Sequence, residues 1–208
     1  MQQALVTANT HITNAYNKET FVFTHPYDGE DPARFDVILG EGGSGGGNAI
    51  AHIHPEADET FHVQEGCLEV MIDGTPHIVE AGHSVTVPKG SAHCFRNAFS
   101  GETRATVSFH PPQQQLRFFL NLAMWTAEEP RNFSAKGDAK LLPMALALHA
   151  YRDHLYIAGP PIWFQKLLFA VLAPIAGLTG RRLAIKPSVR RQQPAPEASR
   201  TLAQVRGN

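Results

Sequence analysis

The chain has 208 residues, enough for one domain with extensions and for a hydrophobic core that needs no disulfides. Its formal net charge of −1 gives no overall attraction to nucleic acid or to an anionic membrane. There are two cysteines and no basic-then-apolar signal segment at the start, so we expect a cytoplasmic protein without a disulfide framework.

The chain from Glu19 to His110 is a series of short strand patterns. Segments of four to eight residues rich in Val, Ile, Phe and Thr are each bounded by Gly, Pro, Asp or Asn. Asp73 and Gly74 form the residue pair that is typical of a tight hairpin. Many evenly spaced strands predict a mainly β fold, either a sandwich or a closed barrel, over residues 19–112, with an N-terminal arm at 1–18.

After Pro111 and Pro112 the spacing of apolar residues becomes helical. Residues 116–125 follow this spacing, residues 143–159 begin with Pro143 and end with Gly159, and residues 160–174 are apolar nearly all round. We therefore expect a helical extension over residues 113–180, with its last helix buried. The extension either packs on the β domain, fills a dimer interface, or closes over the site as a lid.

The end of the chain is basic. Residues 181–208 contain seven Arg or Lys residues and one acid, Glu197, in a composition that predicts a disordered tail. The longest apolar run, residues 167–178, is shorter than the roughly 20 residues that a bilayer span requires, so we expect no membrane span. A helix lying on a membrane surface is disfavoured because this run lacks a polar face. No helix-turn-helix pattern precedes the strands, so we expect no nucleic-acid partner.

Four residues in two separated segments suggest a metal site. His52 and His54 point the same way on a strand because side chains alternate between its faces, and Glu59 follows after a short turn. Apolar residues share the face of Glu59, and a carboxylate buried among them needs a partner, which a cation supplies. His93 also shares its face with an aromatic residue. The alternative is that these residues are hydrogen-bonded members of the core.

The same two segments resemble the two motifs of the cupin superfamily. Residues 46–66 match the first motif, with its glycine, His-X-His, glutamate and glycine, and residues 82–97 match the second. One departure is His83, where the family often has an aspartate. The matching positions are Gly46, His52, His54, Glu59 and Gly66 in the first segment and Gly82, Pro88, Gly90, His93 and Asn97 in the second.

The resemblance implies a small β-barrel of the double-stranded β-helix or jelly-roll type, which commonly forms a homodimer. It also implies that His52, His54, Glu59 and His93 bind one divalent metal ion. Three imidazoles and one carboxylate suit Fe, Mn, Ni, Cu or Zn, and the ligand types do not choose among these metals.

Three functions are compatible with such a site. The first is a metal-dependent enzyme of the dioxygenase type that acts on a small organic substrate, with Glu59 able to leave the metal and act as a base. The second is a non-catalytic module that binds a metal and a small ligand. The third is a metal-dependent isomerase or lyase. No Asp, Glu, Lys or Tyr in the two motifs stands out as a separate acid or base, which argues against sugar epimerisation.

Overall fold

The structure is a computed structural model that describes residues 7–14, 17–24, 34–44, 50–134 and 138–187. Within these residues, ten strands precede three helices, and a two-residue strand lies between the second and third helices. The strands are β1 (Thr10–Asn14), β2 (Glu19–Phe23), β3 (Arg34–Leu39), β4 (His52–Ile53), β5 (Asp58–Glu65), β6 (Cys67–Ile72), β7 (Thr75–Glu80), β8 (Ser84–Val87), β9 (Ala92–Asn97), β10 (Thr103–His110) and β11 (Tyr156–Ile157), and the helices are α1 (Gln115–Glu128), α2 (Leu141–Ala150) and α3 (Ile162–Leu178).

The strands form two antiparallel sheets. One has six strands in the order β1-β2-β3-β10-β5-β8, and the other has five in the order β11-β4-β9-β6-β7. The inward residues of both sheets make one core, which includes Phe35, Phe61, Leu68 and Val107, each at most 2% exposed. This mainly β architecture confirms the fold class predicted from the sequence, a jelly-roll domain followed by helices.

The motif residues shape the turns of the domain. Gly66, Gly82 and Gly90 all have positive φ, and a side chain at Gly66 would collide with Thr103. Asn97 donates from Nδ2 to the carbonyl oxygens of residues 39, 40 and 101, which ties β9 to two neighbouring loops. Gly46, the first motif position, lies outside the described residues.

The β domain is larger than its predicted boundaries. Thr10–Asn14, assigned to an N-terminal arm, forms β1 and pairs along its whole length with β2. The predicted helix 143–159 is wrong in its second half, because α2 ends at Ala150 and Tyr156–Ile157 adds a strand beside β4. The short polar run 152–154 interrupts the apolar periodicity and allows the chain to leave the helix there.

The third helix is less buried than the sequence predicts. Gln165, Phe169, Ala173 and Ala176 pack inward, but the opposite face of α3 is open in the single chain. That outer face consists of Trp163, Phe164, Leu167, Val171, Ile175 and Leu178, which are 42–89% exposed. Among the helices of the described residues, none has the length and apolar character needed to cross a bilayer.

The chain stays packed beyond the predicted start of the tail. Ile185 is 5% exposed, and its backbone N–H and carbonyl bond to Oδ1 and Nδ2 of Asn121 on α1. Tyr151 also donates its hydroxyl to the Ile185 carbonyl. The expected disorder is therefore not seen at residues 181–187, because Ile185 has an apolar pocket and backbone partners. The rest of the predicted tail, residues 188–208, lies outside the described residues.

Candidate metal centre

The two sheets bring the four predicted ligands to one point. His52 lies on β4 and His93 on β9, and these two residues face each other as Cα partners in the five-stranded sheet. His54 follows β4 directly, while Glu59 lies on β5 of the six-stranded sheet. A backbone hydrogen bond from Gly90 N–H to the His54 carbonyl joins the two motif segments at this place.

The ligand atoms of the cluster are close together and nearly buried. One atom from each of the four residues lies within 4.8 Å of the others. His93 Nε2 is 2.6 Å and His54 Nε2 is 3.4 Å from Glu59 Oε2. The exposed fraction is 9% for His52 and at most 2% for His54, Glu59 and His93. The four residues therefore form one buried cluster that could hold a metal ion.

Backbone carbonyls orient the imidazole rings. Nδ1 of His52 lies 3.0 Å from the Ile50 carbonyl oxygen, and Nδ1 of His54 lies 2.5 Å from that of His154. Because a carbonyl oxygen only accepts, each Nδ1 carries the proton and each Nε2 presents a lone pair toward the cluster. Among the described residues, Nε2 of His52 and of His54 has no hydrogen-bond partner. Two buried acceptors aimed at one point are what a bound cation would satisfy.

The pKa shifts indicate a neutral His52 ring beside a charged Glu59 carboxylate. Burial, together with the neighbouring imidazoles of His93 and His54, lowers the pKa of His52 to about 3, so this ring is neutral at physiological pH. Burial alone would raise the pKa of Glu59, but His54 and His93 hold it below its usual value. The pKa of His93 is raised because its bond to Glu59 outweighs its burial. A metal ion would replace the proton that His93 and Glu59 share.

The donor set fits a divalent transition metal. Three imidazole nitrogens and one carboxylate oxygen, with no thiolate, suit Fe, Mn, Ni, Cu or Zn. The residues present therefore agree with the metal that the sequence resemblance implies, while the identity of the metal stays open.

A cavity of about 270 Å³ lies beside the cluster, between the sheets and the first two helices. His52 and Glu59 form part of its wall, and most other lining groups are apolar. Phe119 of α1 stacks on Phe109 with ring centroids 5.5 Å apart and also lies 6.2 Å from the His54 ring. Further lining residues are Phe21, Phe35, Val37, Phe95, Val107, Phe118, Leu122, Phe133, Met144, Leu155 and Ile157.

The sequence missed three contributors to this region. The His154 carbonyl, which accepts from His54, also accepts from Gln115 Nε2 at 3.1 Å. The helical extension therefore helps to position a ligand ring, which no motif in that segment indicates. Glu19 also lines the cavity, although no carboxylate besides Glu59 was expected there. Its alternation with Phe21 and Phe23 along β2 is the sequence signal that places it on the inner face.

Other histidines of the β domain lie outside the cluster. His62, His77, His83 and His110 are exposed, and the described part of the chain contains one cluster of histidines and acids suited to a metal. The departure at His83 lies in a turn and does not affect the four ligands.

A family comparison agrees with the geometry. Residues 36–109 match the family model described as the cupin domain, and this stretch contains all four cluster residues. The chain carries a cupin domain. The match covers β3 to β10, so the N-terminal strands and the helical extension of this cupin lie outside it.

Three curated proteins are similar to part of this cupin. Protein SchB of Streptomyces halstedii is 37% identical over 59 residues, which are 28% of this chain and 41% of SchB. Polyketide synthase CurC of Streptomyces cyaneus is 37% identical over 59 residues, 28% of this chain and 37% of CurC. Quercetin 2,3-dioxygenase of Bacillus subtilis (strain 168) is 31% identical over 62 residues, 30% of this chain and 18% of the dioxygenase. The chain therefore aligns with less than half of each relative.

Solved structures give a looser likeness. The cupin domain of Cnp3 from Schizosaccharomyces pombe is 17% identical with a TM-score of 0.36, over 44% of this chain and 64% of that domain.

Proposed function

We propose that this cupin is a mononuclear metal-dependent enzyme that oxygenates a small organic substrate. The observation that carries the proposal is the position of the four-residue cluster, which forms part of the wall of an apolar cavity large enough for a small molecule. A buried polar cluster in such a cavity is the usual arrangement of a binding or catalytic site.

Each residue of the cluster has a defined task in this proposal. His52, His54, Glu59 and His93 would hold a divalent metal ion, which would supply Lewis-acid activation and bring substrate and dioxygen together. The Nδ1–carbonyl bonds keep the His52 and His54 rings in the tautomer that can bind it. Glu59 takes up a proton from a substrate hydroxyl at its carboxylate, as the base of the site.

The cavity wall indicates the class of substrate. Phe109 and Phe119 pack against the His54 ring, and Phe35 and Phe119 line the cavity. This aromatic wall favours a flat ligand. A relative of this domain is named quercetin 2,3-dioxygenase, which supports hydroxylated aromatic compounds as the first substrates to test.

A non-catalytic module is the second candidate, and one observation favours it. Helices α1 and α2 line the same cavity as the cluster, so a bound ligand would contact the helical extension directly and could alter its surface for a partner. A metal-dependent isomerase or lyase would use the same four ligands. A homodimer and a cytoplasmic location also stay proposals.

Oxygen uptake by the iron-loaded protein separates these functions. The substrates are a panel of diketones, flavonols and hydroxyaromatic compounds, and Glu59→Gln is compared with Glu56→Gln, a substitution at an exposed glutamate near the same turn. We expect turnover that Glu59→Gln reduces at least 100-fold and Glu56→Gln leaves unchanged. Tight binding of a panel compound without turnover, under any of the five metals, would favour the module.

A further inference from the structure

The cavity beside the cluster joins two hydrophobic cores of the protein. One core lies between the two sheets of the β domain, and the other belongs to the helical extension. Phe119 of α1 packs against both cores, with its ring centroid 5.4 Å from that of Phe35 in the first and 5.3 Å from that of Phe118 in the second. The cavity therefore has a β part and a helical part, which meet at Phe119.

The β part has an aromatic wall that begins close to the metal ligands. Phe95 lines the cavity and follows His93 by two residues on β9. Phe35 also lines it and lies opposite Val107, which is two residues from the strand partner of Glu59. Two residues of a strand span about 7 Å, so an aromatic ring whose hydroxyl groups reach the cluster would lie against this wall.

The helical part has a largely aliphatic wall. It also begins at the cluster, because Ile157 lies opposite His52 in the sheet. It continues along one face of α1, where Phe118, Leu122 and Thr126 are successively four residues apart. A chain of methylene groups suits such a wall, because it gains from apolar contact and needs no polar partner. Further residues of this wall are Ile50, Phe133, Ala139, Leu141, Met144 and Leu155.

The dimensions of the cavity suit a ring with a short chain. The ring centroids of His54 and Phe119 are 6.2 Å apart. From Phe118 to Leu122, α1 advances about 6 Å. An extended chain covers about 1.2 Å per bond, so six carbon atoms cover about 7 Å. A chain of this length on a ring held at the cluster therefore reaches Leu122, within a cavity of about 270 Å³.

We propose that this cupin binds a hydroxylated aromatic ring that carries an aliphatic chain of about six carbon atoms, with the ring in the β part of the cavity and the chain in the helical part. The position of the ring rests on the proposed function of the metal centre. The chain site does not depend on the metal, because its wall comes from α1, α2 and β11 and the segments between them. These elements follow the residues that match the cupin domain, so the helical extension sets this preference.

Binding of two matched catechols to the zinc-loaded protein tests the proposal. Methylcatechol and hexylcatechol both carry their alkyl group para to one hydroxyl, and they differ by five methylene groups. Each buried methylene group tightens binding up to about fourfold, so we expect the wild type to bind hexylcatechol about 100-fold more tightly in calorimetric titrations.

Three tryptophan variants locate the chain. Leu122→Trp and Met144→Trp fill the helical part from two different helices. Each should reduce the preference for hexylcatechol to less than about tenfold and leave the affinity for methylcatechol unchanged. Ala127→Trp, at an exposed position of α1, should keep the full preference. Zinc content and the urea midpoint establish that each variant is folded and loaded.

The outcomes separate this proposal from the proposed function. Equal affinity of the wild type for both catechols, binding of neither, or a full preference in both Leu122→Trp and Met144→Trp would overturn the chain site. His93→Ala should weaken the binding of both catechols and leave their ratio unchanged. If His93→Ala binds each catechol as tightly as the wild type does, the ring is not held at the metal, while the chain preference still stands.

Discussion

His52 and His93 are direct neighbours across the antiparallel pair β4–β9, with ring centroids 4.2 Å apart. They come from different motif segments, so strand pairing brings the two segments together. A slip of one residue in this register would turn one ring to the opposite face of the sheet and destroy the cluster. The strand β11, contributed by the helical extension, pairs with β4 on its other side, where Ile157 lies opposite His52. The extension therefore helps to fix the register of the metal-binding strand.

Replacing the Gln115 amide with an apolar group should weaken metal binding. Gln115 and His54 donate to the same His154 carbonyl oxygen, and Gln115 is fully buried, so Gln115→Leu frees that carbonyl to move and loosens the His54 ring. Loss of a group that orients a ligand typically lowers metal affinity 10- to 100-fold. Competition titration with zinc measures the change, and Gln64→Leu at an exposed strand position is the control. Equal affinities of Gln115→Leu and the wild type would show that His54 is positioned without the extension.

Stability should fall with rising pH because of Glu19. The folded chain holds the Glu19 proton up to a pKa of about 7, whereas the unfolded chain loses it near the ordinary value of 4.5. The folded state thus binds one more proton within that window, so the stabilisation present below pH 4.5 is lost as the pH rises through 7. The full loss is about 3 kcal/mol.

Urea unfolding at pH 5 and pH 8 measures this effect. As the pH rises from 5 to 8, the wild type should lose unfolding free energy relative to Glu19→Gln, while Glu80→Gln, at an exposed position, should follow the wild type. If the unfolding free energy of the wild type and of Glu19→Gln depends on pH in the same way, the Glu19 carboxyl group is charged in the folded protein.

The outer face of α3 should be covered by a second copy of the chain. Phe164, Leu167, Val171 and Leu178 are separated by three, four and seven residues, the spacing of a helix that packs along another helix. We therefore propose a homodimer through this face, with an apparent mass twice the 22.8 kDa of the chain.

Light scattering after gel filtration tests the homodimer. Leu167→Glu should yield a monomer, and Ile78→Glu, an equal change at an exposed position of β7, should remain a dimer. Dissociation by Ile78→Glu alone would place the interface on the sheet, and a monomeric wild type that binds anionic vesicles would assign the α3 face to a membrane.

Sequence periodicity predicted much of the β domain. The short strands predicted between Glu19 and His110 are present as β2, β3 and β5–β10. Asp73 and Gly74 adopt the positive φ angles of a tight hairpin turn. The four cluster residues were also identifiable, because their inward positions follow from strand alternation beside apolar neighbours. These signals are local, so they can be recognised in the sequence without knowledge of the tertiary fold.

The remaining features depend on distant contacts. β4 and β11 have two residues each and exist only because they pair with each other and with β9, so their sequences carry no strand pattern of their own. The link from His54 to His154 joins residues 100 positions apart. The sequence of α3 is apolar nearly all round, which predicts burial of the whole helix. It does not indicate which surface covers each face, so the open outer face could not be predicted.

Metal content of His93→Ala is the most direct test of the metal centre. His93 is 1% exposed and contacts Glu59. It comes from the second motif segment, whereas the other three residues come from the first. Its removal therefore tests whether the two segments form a single metal site. Elemental analysis of the wild type should give one divalent transition metal ion per chain, and His83→Ala, at an exposed turn, should give the same. We predict less than a tenth of that content in folded His93→Ala. Stoichiometric metal in His93→Ala would contradict the four-residue site and the enzyme built on it.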